Sequence, residues 1–451
     1  MPCYASATLM KTALFLFGSV AATALVFTAC SSATRNAAFD DPDGAVRIDG
    51  GLGFGEKEAA PQCTNLECKQ VTCSGGGTTT LTGTVYSPMG ASGDPIYNAI
   101  LYVPNADLEP FPKGASCDKC GTITSGSPLV TALSDSEGKF TLENVPAGDD
   151  IPLVIQVGRW RRMVTIDHVD ACKSNSVPAE KSRLPRNQQE GDIPLMAIVT
   201  SPYDATECIL KKMGVDTSEF TVPSGTGRIH IYKGGGATLA TTPPSGDQLW
   251  NNPATLTNYD VIALPCSSQP TDMTGRQNVV DYADNGGRVF ITDLSQDVIK
   301  QGPAPWPSTA NWTPTGSFAN PASIDMTFPK GQAMAEWLKN IGATPTMGQI
   351  DLTGTYNRTS GTMGDSQRWV YSSETLQTYS FNTPVGADEA TQCGRVFYSS
   401  FHVSQGGYGT FPASCNSTAM TAQEKALEFM LFDLAACIIK DGEKPQPPPV
   451  K

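Results

Sequence analysis

NYDVIALPC (residues 258–266) followed by VVDYADNGGRVFITD (279–293) decides how the second half of this chain folds. The apolar run Tyr259 to Leu264 has no polar alternation beyond Asp260, so it reads as a strand buried on both faces, ending at Pro265 and Cys266. A helical pattern follows over about Arg276 to Asp284, Gly286 and Gly287 stop it, and Arg288 to Thr292 reads as the next buried strand. A strand, a helix and a second strand within some 35 residues make a βαβ unit, whose strands run parallel.

The same alternation extends in both directions. Leu195 to Val199 is an earlier strand, and Asp204 is placed to cap a helix running through Met213 and ended by Gly214. Arg228 to Tyr232 is a strand, Ala333 to Asn340 a helix, and Gly394 to Ser400 a late strand. Thr421 to Cys437 carries apolar residues at helical spacing, with Thr421 and Glu424 as a capping box. Residues 193–440 therefore read as an α/β domain built on a doubly wound parallel sheet. Residues 300–390 interrupt that pattern as an insertion.

Upstream, residues 80–170 hold short β-rich runs separated by Pro, Gly and Asp turns, which implies a β-sandwich. Asp135 to Gly138 reads as a tight hairpin turn, with Phe140 and Leu142 facing one side of the strand after it. Residues 171–192 read as a linker, 31–79 as a flexible tether with cysteines, and 441–451 as a stiff Pro-rich tail. The fold class expected is thus multidomain, a β-sandwich followed by an α/β domain.

LTGTVYSP (81–88), DPIYNAILYVP (94–104) and ALSDSEGKFTLENVPAGDDIPLVIQVG (132–158) resemble carboxypeptidase regulatory-like domains, the transthyretin (prealbumin)-like sandwich. Gly83, Pro95, Asp135, Gly138, Phe140, Pro146 and Gly148 are among the residues that carry it, and residues 105–127 are an insertion. The resemblance implies an accessory or binding module without catalysis.

NYDVIALPC, VVDYADNGGRVFITD, CGRVFYSSFHVS (393–404) and EKALEFMLFDLAAC (424–437) resemble the class I glutamine amidotransferase-like superfold, in particular its trehalose-utilisation-like branch. That resemblance implies a cysteine nucleophile on a strand-to-helix turn, a histidine on a later strand, and a carboxylate two residues beyond it. His402 falls where the histidine belongs. Ser404 stands at the carboxylate's place, and the nucleophile's turn reads Thr292-Asp293-Leu294-Ser295, with no cysteine. Cys266, on an earlier strand end, is the cysteine left to substitute.

Cys266, Asp293 and His402 all lie at strand C-terminal ends, where open α/β sheets bind ligands. One reading is a ligand site or a thiol–imidazole pair, with Asp293 or Asp297 near His402. The other is a packed histidine and a Cys266 engaged in a disulfide. Trp306 and Trp312, in the Pro-rich run 303–314, are candidates for stacking on a glycan; the bland reading is loop anchoring. With three histidines in the chain, His168 and His230 in strand contexts, no multi-histidine metal site and no cofactor are expected.

The N-terminus gives an address. Met10, Lys11 and the apolar run Ala13 to Phe27 have signal-peptide proportions, short of the ~20 residues that span a bilayer. Val26-Phe27-Thr28-Ala29-Cys30 resembles the lipobox of bacterial lipoproteins, which implies cleavage before Cys30, acylation of that residue, and a leader over residues 1–30. Ser31 by the same analogy points to the outer membrane. Of 13 cysteines, Cys3 and Cys30 belong to this region. The 11 others are an odd number suited to an oxidising compartment, so at least one lacks an intrachain partner. Cys117 and Cys120 have the spacing of a redox or zinc motif, but loop disulfides fit a secreted chain better. A net charge of −13 without a Lys/Arg cluster argues against nucleic acid. The function expected is a lipid-anchored envelope protein, a non-catalytic binding or structural module for a glycan, peptidoglycan or envelope-protein partner. The alternative is an envelope hydrolase using Cys266 and His402.

Overall fold

The computed structural model describes residues 63–313, 317–355, 358–373, 375–403 and 407–450. The expected leader with Cys30, the tether up to residue 62, and Ser404 lie outside the described residues. The fold is rich in β-structure, organised around one large mixed sheet.

Residues 80–176 supply β1 (Thr80–Thr84), β2 (Ile100–Pro104), β3 (Pro128–Leu133), β4 (Lys139–Glu143), β5 (Gly148–Val157), β6 (Trp160–Val169) and β7 (Ser174–Ser176). They form a three-stranded sheet ordered β4-β1-β7 and a four-stranded sheet ordered β3-β2-β5-β6. Leu81, Phe140 and Leu142 of the first share one apolar core with Leu101, Val103, Leu153 and Ile155 of the second. Each such side chain contributes about 1.5–3 kcal/mol on burial. The Asp135–Gly138 turn is present, with Gly138 at φ +72° and the Asp135 carboxylate accepting from the amides of Glu137 and Lys139. It is not the hairpin expected: β3 pairs with β2 and β4 with β1, so the turn carries the chain from one sheet to the other.

The remaining elements are β8 (Met196–Thr200), α1 (Thr206–Lys212), β9 (Phe220–Thr221), β10 (Ile229–Lys233), α2 (Asp247–Trp250), α3 (Pro253–Leu256), β11 (Val261–Leu264), α4 (Met273–Asp284), β12 (Arg288–Thr292) and α5 (Asp297–Lys300). Then come β13 (Ala310–Asn311), β14 (Ala322–Ile324), α6 (Pro329–Asn340), β15 (Gln349–Ile350), β16 (Gly361–Thr362), β17 (Gln367–Ser372), β18 (Thr375–Thr383), β19 (Gly394–Ser399) and α7 (Ala422–Ala435). Ten of these strands make one sheet, ordered β15-β14-β17-β18-β19-β12-β11-β8-β10-β9. From β9 to β19 neighbours are parallel, and the four strands beyond β19 are antiparallel. The parallel sheet expected for residues 193–440 is present from β9 to β19, and the sheet as a whole is mixed. The extra strands come from the insertion: β17 and β18 are joined by two residues, and so short a connection permits only antiparallel pairing.

The parallel strands alternate their side chains between two cores. Ala197, Val199, Ile262, Leu264, Val289 and Ile291 pack with α2 to α5. Met196, Ile198, Ile231, Val261, Phe290 and Phe397 pack with α1, α6 and α7. That second core is continuous with the core of residues 80–176. Helix α7 is expected to be amphipathic, but it is buried on nearly every side between the large sheet and the four-stranded sheet. Phe432 meets Trp160 edge-on at 6.3 Å, and Phe429 stacks on Tyr97 at 5.7 Å. Gly158, in the β5–β6 turn, passes so close that a Cβ there would lie 1.7 Å from the carbonyl oxygen of Ala435.

Five disulfides lock the arrangement: Cys63–Cys68, Cys73–Cys172, Cys117–Cys393, Cys120–Cys437 and Cys208–Cys415. Cys117 and Cys120 bond to different partners, so the 105–127 insertion is stapled to the start of β19 and the end of α7. The chain is thereby held from Cys63 onward, ahead of the tether boundary expected at 79. Residues 171–192, expected to be a linker, are packed: Leu184 is buried and Arg183 makes a paired contact with Glu190. In the Pro-rich tail, the Pro448 carbonyl accepts from Thr131 Oγ1 at 2.6 Å.

Candidate functional site

Strands β10, β8, β11, β12 and β19, numbered in chain order, run 2-1-3-4-5 across the sheet. The order reverses between β8 and β11, and in open α/β sheets ligands bind by the loops leaving the C-terminal ends of strands at such a reversal. Cys266 follows β11, Asp293 follows β12, and His402 follows β19. The structure brings these three together: one ligand-type atom from each lies within 4.8 Å of the others.

Cys266 is the unpaired cysteine among the described residues, and it is buried. Its thiol donates to Asp293 Oδ2 at 3.1 Å. Asp293 is 1 % exposed and sits at φ +41°, a left-handed conformation rare for a side-chain-bearing residue. Its other oxygen, Oδ1, accepts from Arg358 Nε at 3.0 Å. Burial, the hydrogen bond to Asp293 and the charge of Asp293 push the Cys266 thiol up to about 12. The thiol is therefore neutral at physiological pH, the opposite of an activated nucleophile. His402 Nδ1 donates to the Val403 carbonyl at 3.1 Å.

Asp204 organises these loops. Wholly buried after β8, it accepts from the Val403 amide at 3.0 Å and from the Thr292 hydroxyl. Thr292 Oγ1 in turn accepts from the Cys266 amide at 3.0 Å. One carboxyl thus ties together the loops after β8, β11, β12 and β19, and burial pushes it up. Its expected role as a helix cap is not realised: Ala205 is the cap residue of α1, without a side-chain cap bond. Glu207, in the first turn of α1, is also fully buried, and neither of its oxygens has a hydrogen-bond partner. Burial pushes it up to about 8, with the Asp204 charge adding to the shift.

Sequence reasoning missed Asp204, Thr292 and Arg358 as site residues. The first two were findable, because they stand beside strand C-terminal ends. Arg358 comes from the insertion, where no periodicity marks it. Asp297 begins α5 and is outside the cluster. Trp306 is 0 % exposed, edge-on to Phe381 at 5.4 Å, so it offers no face to a glycan. Half-buried Trp312 donates its Nε1 to the Pro307 carbonyl at 2.9 Å and packs edge-on to Tyr398 at 6.0 Å. Both anchor the Pro-rich run to the core. His230 is buried with Nδ1 2.9 Å from the Tyr259 hydroxyl, whereas His168 is exposed beside Asp149 and Asp170.

A cavity of about 700 Å³ lies at the other end of the strands, lined by Phe111, Arg159, Arg228, His230 and Tyr259. None of Cys266, Asp293 and His402 lines it.

No family model matches the chain, and no curated protein matches it. Among solved structures, a cytoplasmic protein from Salmonella typhimurium aligns at 10 % identity and a TM-score of 0.30, covering 54 % of this chain and 98 % of its own. A type II cohesin–X-dockerin complex from Acetivibrio cellulolyticus aligns at 17 % identity and a TM-score of 0.17, covering 31 % and 85 %. Likenesses this distant carry no argument about fold or function.

Proposed function

We propose that this chain is a lipid-anchored cell-envelope protein whose crevice at Cys266, Asp293 and His402 binds a ligand without thiol catalysis. The observation that carries the reading is the direction of the Cys266 hydrogen bond: the thiol donates to the Asp293 carboxylate, which Arg358 holds in place. A thiol held as a donor to a carboxylate keeps its proton, and the amidotransferase-like mechanism needs a thiolate. Strand order 2-1-3-4-5 with helices on both faces supports a doubly wound, amidotransferase-like region that has lost its nucleophile. The four- and three-stranded sheets sharing one core support a transthyretin-like sandwich at 80–170. Five disulfides suit an oxidising compartment, and the lipobox-like run ending at Cys30 supplies the anchor in this reading. The partner class is a glycan, peptidoglycan or another envelope protein, with Trp306 removed from the candidate contacts.

The test is a mass-spectrometric map of the chelator-treated protein, alkylated with iodoacetamide across a pH series before reduction. Cys266 is expected to resist labelling up to alkaline pH, and the N-terminal peptide to carry acyl groups on Cys30. Labelling of Cys266 at mildly acidic pH, abolished by His402→Ala, would instead establish the thiol-hydrolase alternative.

A further inference from the structure

We infer that Cys266, Asp293 and His402 form a three-ligand site for a zinc-class divalent metal ion, which is the ligand of the crevice. This rests on the binding reading above and names what is bound. The three side chains come from three different strand ends, yet one sulfur, one carboxylate oxygen and one imidazole nitrogen lie within 4.8 Å of one another. Among the described residues this is the one group of its kind. In tetrahedral zinc sites, bonds of about 2.3 Å to sulfur and about 2.0–2.2 Å to nitrogen and oxygen put ligand atoms roughly 3.3–3.6 Å apart. Cys266 Sγ and Asp293 Oδ2, at 3.1 Å, lie slightly inside that spacing, and all three atoms lie within 4.8 Å, so side-chain shifts of about an ångström bring them to it.

The surroundings match what metal ligands require. A ligating imidazole usually donates its second nitrogen to an outer partner, as His402 Nδ1 does to the Val403 carbonyl. A ligating carboxylate is itself hydrogen-bonded, as Asp293 Oδ1 is to Arg358. Asp204 fixes the backbone on both sides by holding the Val403 amide and, through Thr292, the Cys266 amide. The groups the cluster offers to an ion are one sulfur, one carboxylate oxygen and one imidazole nitrogen. Thiolate and imidazole ligands favour zinc over calcium or magnesium, which take oxygen ligands. Binding replaces the S–H bond by an S–metal bond, and the proton leaves to buffer. Thiolate and carboxylate together then balance the dipositive ion. Three protein ligands leave a fourth position for water or a ligand atom.

The experiment uses the full chain, stripped with a chelator and titrated with Co²⁺, then back-titrated with Zn²⁺. One cobalt per chain is expected, with a near-ultraviolet thiolate-to-cobalt band and intense visible bands of a tetrahedral centre, all displaced by zinc. Cys266→Ser abolishes the near-ultraviolet band, and Arg358→Ala weakens cobalt binding about 10–100-fold. Where a variant fails to fold by circular dichroism, the unmodified chain decides, since zinc must then protect Cys266 from iodoacetamide at alkaline pH. Absence of the thiolate band in the folded chain, or an equal band in Cys266→Ser, overturns the inference. So does zinc that gives no protection. The alkylation profile of the metal-free protein is a separate result, so failure of the metal site is distinguishable from failure of the non-thiolate reading.

Discussion

Replacing Glu207 with Gln should make this protein more stable, and by an amount that depends on pH. Glu207 is fully buried with no partner for either oxygen, and its carboxyl is pushed from 4.5 up to about 8. In the unfolded chain it ionises near its ordinary value. Between these two values the folded state holds a proton that the unfolded state has released, so stability falls as pH rises. The penalty begins near pH 4.5, grows through neutrality, and levels off above pH 8. At about 1.36 kcal/mol per pKa unit it reaches about 3 kcal/mol at pH 7 and about 4 kcal/mol at pH 8. Glutamine has nearly the same shape and no ionisation, so Glu207→Gln removes the penalty and matches the parent below pH 4.5. The compact unit Pro61–Lys451 has an unfolding entropy of about 0.8 kcal/mol/K, so 4 kcal/mol corresponds to a Tm gain of about 5 °C. Calorimetry of parent and variant at pH 4.5 and pH 8, with disulfides intact, reads the difference directly. An equal gap at both pH values would refute the reasoning, because it would mean that Glu207 ionises in the folded state as easily as in water.

Two further outcomes follow from the packing. Removing Cys120–Cys437 as a double serine variant should cost about 4 kcal/mol in urea unfolding, because with Cys117–Cys393 intact it still closes a path on the order of 50 residues. A loss below ~1 kcal/mol would show that α7 holds the insertion without it. Arg395→Ala strands Asp433 and Asp441 beside the buried Lys330 and should cost about 3–5 kcal/mol, with Arg395→Lys recovering part of it. Equal stability of the alanine variant would show that Lys330 alone neutralises both carboxylates.

The strands Ile100–Pro104, Val261–Leu264, Arg288–Thr292 and Gly394–Ser399, and the helices Met273–Asp284 and Ala422–Ala435, were legible because local periodicity and capping residues specify them. Thr421 and Glu424 make the reciprocal cap that their spacing announces. The four antiparallel strands were not legible. Their runs, such as Gln367–Ser372, are short or mix polar and apolar residues, and nothing local says which sheet edge they join. Asp135 to Gly138 shows the same limit: the turn is local, but the sheets of its flanking strands are set by partners far along the chain.

At the site, the sequence by itself determined which chemical groups stand at strand ends: Cys266, Asp293 and His402 each follow an apolar run. It also determined that an odd cysteine is left over. Only the tertiary structure decided that Cys266 is that cysteine, that its thiol donates to Asp293, and that Arg358 from the insertion closes the far side. Counting histidines argued against a multi-histidine metal site, and the cluster the structure assembles has a single imidazole, His402, which lies over 100 positions beyond Asp293 in the chain. Hydrogen-bond direction and burial depend on neighbours brought in by folding, and a linear pattern encodes only what lies within a few residues of itself.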